Sequence, residues 1–266
     1  MRQRLFKYCY KLLRVCSWCI LVFMLAHVLF PLKLKTDYST CVYSSEGKLL
    51  SAYLNKGDKW RLKHALSEYS PVLIKTIVSK EDQWFYWHFG VNPVAIIRAG
   101  FDNIRRNKRV SGASTISMQV VRLMHPQKRS FVNKFTEIFR AIQLELQYSK
   151  SEILELYLNH LPYGGNIEGA GTASLFYFGK APMALSLSES VILSVIPNRP
   201  GSLNIQTRLG AIEQSRNYWL QYFNDGGTFT PNLIAEALKE PVAIQKHELL
   251  KIAPHLSLQL KNTYKD

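Results

Sequence analysis

The amino-acid sequence predicts a mainly α fold: an apolar N-terminal helix, a small β-hairpin, and one helical domain. Three observations carry this reading: an apolar run at 15–32, alternation about a glycine turn at 37–60, and helical spacing of apolar residues from 66 onward. The run from Val15 to Leu32 holds only His27 as an ionisable residue besides its cysteines, and it follows Arg2, Arg4, Lys7, Lys11 and Arg14. At about eighteen residues it reaches the length that a bilayer requires. Phe30-Pro31-Leu32-Lys33 lacks the small residues of a cleavage site. We therefore expect a retained transmembrane signal anchor, with residues 1–14 in the cytoplasm and the bulk outside.

Cys41-Val42-Tyr43 and Leu49 to Tyr53 flank Ser44-Ser45-Glu46-Gly47-Lys48, which predicts the hairpin. Ser45 and Lys48 have the Ser-x-x-Lys spacing of a serine nucleophile; no Lys-Thr-Gly or Ser-x-Asn partner follows, and the match is assigned to chance. Ser70-Pro71 and Asn92-Pro93 predict helix starts with proline in the first turn, the second continued by Val94, Ile97, Phe101 and Ile104. Phe131, Phe135, Ile138, Phe139 and Ile142 form one apolar stripe, and Leu209, Ile212, Trp219 and Phe223 another. Ser149-x-x-Glu152 and Ser186-x-x-Glu189 read as capping boxes, and Thr230-Pro231 opens one more helix. The expected organisation is a basic tail at 1–14, the anchor at 15–32, hairpin and linker at 37–60, the helical domain at 61–255 and a tail at 256–266.

A net charge of +15 and a pI near 9.7 point to an anionic partner: nucleic acid, acidic headgroups or a phosphorylated substrate. Nucleic acid is disfavoured, because zinc-finger spacing and an aromatic RNP-type strand are both missing. His-Glu-x-x-His, a Walker loop and Gly-x-Ser-x-Gly are missing as well. Cys16-x-x-Cys19 lies inside the apolar run without a second ligand pair, so no metal site is assigned. Cys41 alone follows the anchor, so stability is expected from core packing and not from disulfides.

Lys80 to Gly90 reads Lys-Glu-Asp-Gln-Trp-Phe-Tyr-Trp-His-Phe-Gly. Glu81 and Asp82 close an apolar run with aromatics behind them. Aromatic walls are expected to desolvate a carboxylate and raise it towards the range of proton transfer. Glu137 is a second acid, three residues after Lys134 and on the same helix face. Paired carboxylates in a cleft are what glycosyl chemistry needs. Between them cluster Arg105, Arg106, Lys108, Arg109, Arg122, Lys128, Arg129 and Lys134, as a solvated face or as phosphate contacts. The glycine-rich stretch from Tyr163 to Gly171 is either backbone approaching a ligand or a linker. Pro197-Asn198-Arg199-Pro200-Gly201 is a sharp helix stop.

Five segments, in order, resemble the motifs of glycosyltransferase family 51, the peptidoglycan glycosyltransferases. They are Glu81 to Gly90, Gly112 to Gln119, Lys134 to Glu137, Tyr148 to Asn159, and Leu187 to Pro197. The likeness covers roughly residues 40 to 255. Gly90-Val91-Asn92-Pro93, Met118 to Leu123 and Gly171-Thr172-Ala173-Ser174 are most similar to the glycosyltransferase domain of C-type class A penicillin-binding proteins, here without the transpeptidase domain. The chain departs from the pattern at Ala113, Ser117, Met118 and Asn133, and Arg122 stands where many members have Lys.

The resemblance implies a lysozyme-like glycosyltransferase domain that polymerises lipid II into β-1,4 glycan, with inversion and release of undecaprenyl diphosphate. Glu81 would be the general base and Glu137 would organise the leaving diphosphate. Asp82, Ser114, Thr115, Gln119, Arg122, Lys134, Lys150 and Asn159 would bind substrate. His88 reads as a structural hydrogen bonder, and Glu155 with Asn159 as a brace. No dedicated metal site is implied; a divalent cation, Mg2+ or Mn2+, at Glu137 is the one cofactor with a place. The implied partners are lipid II, the growing strand, the membrane and other cell-wall synthesis proteins, at a bacterial inner membrane with the domain on the outer side. Two other readings stay open: a glycan-cleaving enzyme on the same fold, and a non-catalytic membrane-anchored lipid II-binding scaffold.

Overall fold

The computed structural model describes residues 2–98, 114–128, 130–198, 209–245, 247 and 252–264. Phe101, Ile104, the basic run from Arg105 to Arg109, Val110 to Ala113, Arg129 and Arg199 to Gly201 lie outside the described residues. The chain is mainly helical, with small antiparallel sheets. Helix α1 (Arg2–Leu29) leads into β1 (Thr40–Tyr43) and β2 (Leu49–Tyr53), which pair antiparallel about Gly47 at φ +78°. Then come α2 (Pro71–Glu81), a helical segment at 93–98 (α3), α4 (Ile116–Met124), α5 (Phe131–Gln147) and α6 (Lys150–His160). A minimal pair, β3 (Pro162–Gly164) and β4 (Ile167–Glu168), precedes α7 (Ala170–Phe178), α8 (Leu187–Val195), α9 (Leu209–Asp225), α10 (Pro231–Lys239) and α11 (Pro254–Thr263).

Local chemistry explains the helix starts. Ser70 Oγ accepts the Val72 N–H ahead of Pro71, and Asn92 Oδ1 accepts the Ala95 N–H. Ser149 and Ser186 form complete capping boxes with Glu152 and Glu189. Each such cap contributes about 1 kcal/mol. The core gathers where α2 packs on α8, α4 on α5 and α6, and α9 on α8 and α10. Leu73, Phe85, Ile116, Met118, Leu144, Ile153, Val191, Ile212, Leu220 and Phe223 are fully buried there. Each large side chain so buried is worth about 1.5–3 kcal/mol.

The structure redraws the N-terminal span and the α5 stripe. The apolar span does not form one helix over 15–32: α1 begins at Arg2, ends at Leu29, and Leu32 enters the domain core. Pro31 lacks the N–H to continue and biases Phe30 away from helical geometry. Among the described residues, no helix is long and apolar enough to cross a membrane. The apolar stripe on α5 divides: Phe135 is 72% exposed, whereas Ile138 packs against the core beside the buried Ala141 and Leu144. Phe139 instead meets Phe23 of α1 at 5.3 Å, and Gln143 Nε2 donates to the Phe30 carbonyl at 3.0 Å, so α1 docks along this side of α5.

The glycine-rich stretch is not a free linker: it forms the tight turn of β3 and β4, pinned through Ile167 to Trp60. Gly169 and Gly171 serve close packing. A Cβ on Gly171 would lie 2.2 Å from the His64 ring, which is held by Glu68 Oε2 at 2.8 Å. Gly171→Ala is therefore expected to cost about 1–3 kcal/mol by overpacking and to lower Tm by several degrees in a thermal melt. An unchanged Tm would show that the ring turns aside freely.

Candidate active site

Glu81 is the last residue of α2, and Asp82 leaves helical geometry as its C-cap. The chain then tightens into a 3₁₀ turn at Phe85–Trp87. That turn overturns the expected aromatic wall. Phe85 alone is buried, while Trp84, Tyr86, Trp87 and Phe89 point outward, Trp87 being 83% exposed. The neighbours of the Glu81 carboxylate are polar. Lys80 Nζ pairs with Oε1, and Gln119 Nε2 of α4 donates to Oε2 at 3.1 Å.

Gln119 is itself oriented. Tyr157 of α6 donates to its Oε1 at 3.2 Å, which turns the amide nitrogen towards Glu81. The Tyr157 hydroxyl stays protonated because burial pushes it well above the usual phenol range. The Glu81 carboxylate pushes the same way, and Arg122 opposes it. Arg122 thus brings a cation to this side of α4.

The N-terminus of α4 organises the opposite end. Thr115 caps it, accepting the Met118 N–H and donating to the Gly90 carbonyl at 2.6 Å. One residue earlier, Ser114 Oγ lies 2.7 Å from Lys134 Nζ, which also pairs with Glu137 Oε2 at 3.0 Å. Ser114 precedes the cap and Gln119 lies one turn inside the helix, so they mark successive levels of α4. One short helix thereby gathers both acids: Glu81 beside its second turn, and Lys134 with Glu137 beside its cap.

The other expected site residues form the frame. Asp82 is buried; its Oδ2 accepts the Ile116 N–H at 3.0 Å and faces His88 Nε2 at 2.9 Å. Lys150 donates to the His88 carbonyl and to Glu145, each at 2.7 Å, with its Nζ 4.5 Å over the Phe85 ring. Asn159 is fully buried: it accepts the His64 N–H at 3.0 Å and donates to the His64 and Glu155 carbonyls at 2.8 and 2.9 Å. Asn159 exposes nothing to a substrate, so in this structure it ties α6 to the segment before α2. Glu155 adds to that tie by accepting the Leu66 N–H at 2.9 Å.

Sequence reasoning missed Glu145, Lys80 and Tyr157. Glu145 is nearly buried between Lys150 and Ser117, whose hydroxyl donates to it. The only signal for it was an acid five residues before Lys150. Two of the departures from the family pattern are absorbed locally: Met118 is fully buried in the core, and Asn133 donates to the Lys128 carbonyl at 2.6 Å at the start of α5.

A family model described as Transglycosylase matches residues 46–224. The chain belongs to the transglycosylase family. It is 34% identical over 233 residues to penicillin-binding protein 1C of Escherichia coli (strain K12), covering 87% of this chain and 30% of that protein. Penicillin-binding protein 1A of the same organism is 34% identical over 220 residues, covering 81% and 25%. Penicillin-binding protein 1A of Aquifex aeolicus (strain VF5) is 32% identical over 222 residues, covering 83% and 30%. The chain thus spans about a quarter to a third of the length of these relatives. A crystal structure of penicillin-binding protein 1A from Haemophilus influenzae aligns with a TM-score of 0.44 at 21% identity, covering 88% of this chain and 25% of that one.

Proposed function

We propose that this transglycosylase is an inverting peptidoglycan glycosyltransferase that polymerises lipid II into β-1,4 glycan strands with release of undecaprenyl diphosphate. The observation that carries the reading is the convergence of Glu81 and the Lys134–Glu137 pair on α4. Glu81 takes the proton from the 4-hydroxyl of the acceptor N-acetylglucosamine. That oxygen bonds to C1 of the donor N-acetylmuramic acid as the C1–O bond to the diphosphate breaks, so α becomes β. Lys134 and Arg122 meet the charge that develops on the diphosphate. Ser114, Thr115 and Gln119 fix the geometry of the two ends, with Asp82, Lys150 and Asn159 acting through the frame.

Mg2+ takes one or two carboxylates together with substrate phosphates. Glu137 with the diphosphate suits that role, and the ion would supply further neutralisation of the leaving group. Among the described residues, no three His, Cys, Asp or Glu gather into a dedicated cage.

The membrane enters the same proposal. Val15, Trp18, Ile20, Leu21, Val22, Met24 and Leu25 of α1 are exposed and apolar, as are Val132 and Phe135 of α5 and Val94 and Ile97 of α3. Such surface suits a lipid contact. An enzyme tethered where its lipid-linked substrates lie gains effective concentration. Ile20→Lys with Val22→Lys should release the protein from vesicles in a flotation assay, at a cost of about 2.5–3.5 kcal/mol for each buried charge. Continued flotation would remove α1 as the anchor.

The deciding experiment supplies lipid II to the purified full chain and follows polymer and released undecaprenyl diphosphate, with Glu81→Gln and Glu137→Gln as controls. Polymer from the native chain and none from either variant is expected. Fragments released from finished wall without lipid II would indicate a hydrolase, and lipid II binding without turnover a scaffold.

A further inference from the structure

Lys80 is a charged residue beside the site that the proposed chemistry leaves unused. Its side chain is 2% exposed. A buried ammonium is strongly unfavourable unless opposite charge meets it. Glu81 Oε1 supplies that charge, and the Trp219 ring of α9 lies 5.3 Å from Nζ. Neighbouring residues inside a helix do not face each other. These two meet because Glu81 ends α2 and Asp82, at φ −161°, turns the chain away.

The groups around the Glu81 carboxylate come from several elements. Lys80 and Asp82 flank it in sequence, Gln119 and Arg122 come from α4, Tyr157 from α6 and Tyr163 from β3. Both phenols are pushed well up, first by burial, and stay neutral. Lys80 is a cation in direct contact with it.

We propose that Lys80, backed by Trp219, is a positioning residue that holds the Glu81 carboxylate ionised and aimed before the acceptor arrives. Its burial keeps it from touching substrate, so it acts only through Glu81. This rests on the reading of Glu81 as the general base. It also assigns Trp219, and with it α9, a part in the site: the ring backs the ammonium that Glu81 leans on.

The test titrates Glu81 directly. Full-length protein in detergent, with carboxyl-labelled glutamate, is followed by NMR across pH, and the Glu81 signal is assigned by its loss in Glu81→Gln. In Lys80→Met the Glu81 midpoint should rise by about one pH unit or more, as for loss of a contacting opposite charge. The acid limb of kcat/KM for lipid II should move with it, with KM within about twofold and kcat/KM near the lower limb falling about tenfold. Lys80→Arg should restore the midpoint, which a purely structural lysine would not require. Lys80→Gln keeps a polar end without the charge; it should behave as Lys80→Met does and serves if that variant unfolds. An unmoved Glu81 midpoint in either folded variant overturns the proposal. A native chain that makes no polymer would sink the proposed function instead, while the titration would still decide the role of Lys80.

Discussion

Glu81→Gln is expected to abolish glycan polymerisation, with turnover of lipid II falling at least ~100-fold, as for a lost general base. Gln has the shape of Glu but one carbonyl oxygen in place of two, so it can accept from Lys80 while its NH2 faces the Gln119 amide, and the helix end itself is retained. What it lacks is a carboxylate able to take the proton of the attacking hydroxyl. The substitution also leaves the nearly buried Lys80 ammonium without its counter-charge, so Tm should fall. Glu81→Gln combined with Lys80→Met should recover the Tm and remain inactive. This pair of results separates chemistry from folding, and substantial polymerisation by folded Glu81→Gln would reject the assigned role.

Asp82→Ala is expected to have the next largest effect, and on both stability and rate. Its carboxylate is buried, accepts the first N–H of α4 and faces His88. Truncation strands both groups in a dry environment, at about 1–3 kcal/mol each. For a domain of this size 1 kcal/mol is worth about 2–4 °C of Tm, so a loss on the order of 10 °C follows. The same carboxylate is the link that fastens the end of α2 to the start of α4. Glu81 rides on one and Gln119 on the other, so activity should fall even below the melting transition. Asp82→Asn keeps an acceptor for the Ile116 N–H and should recover most of the stability. If Asp82→Ala matched the native chain in Tm and polymer yield, the frame described here would be wrong.

How far the site could be read in advance depended on the range of the interaction. The helix starts at Ser70, Ser149 and Ser186 were legible because a cap is made between a side chain and a backbone two or three residues away. Ser114 meets the Lys134–Glu137 pair of α5 at the start of α4, and Gln119 of the same helix meets Glu81. The surroundings of Glu81 were misread. Trp84, Tyr86 and Trp87 are adjacent to it in the chain, yet a 3₁₀ turn sends them outward. Periodicity on α5 likewise marked Phe135 as apolar but could not say whether core, another helix or open surface lay opposite. The resemblance gives Lys150 only a substrate contact; its acceptors, the His88 carbonyl 62 residues away and Glu145, are set by packing.

By itself the sequence determined the helical class, the capped helix starts, the hairpin and the chemical types available to the site, since these follow from residue identity and short spacings. Only the tertiary structure decided which of those groups meet. It set Lys80 and Gln119 on Glu81, fastened Asp82 to α4, buried Asn159 and Glu145 as supports, and ended α1 at Leu29. The reason is physical: a cap is satisfied within one turn of chain, whereas the partner of a buried charge is chosen by whichever distant element packs against it.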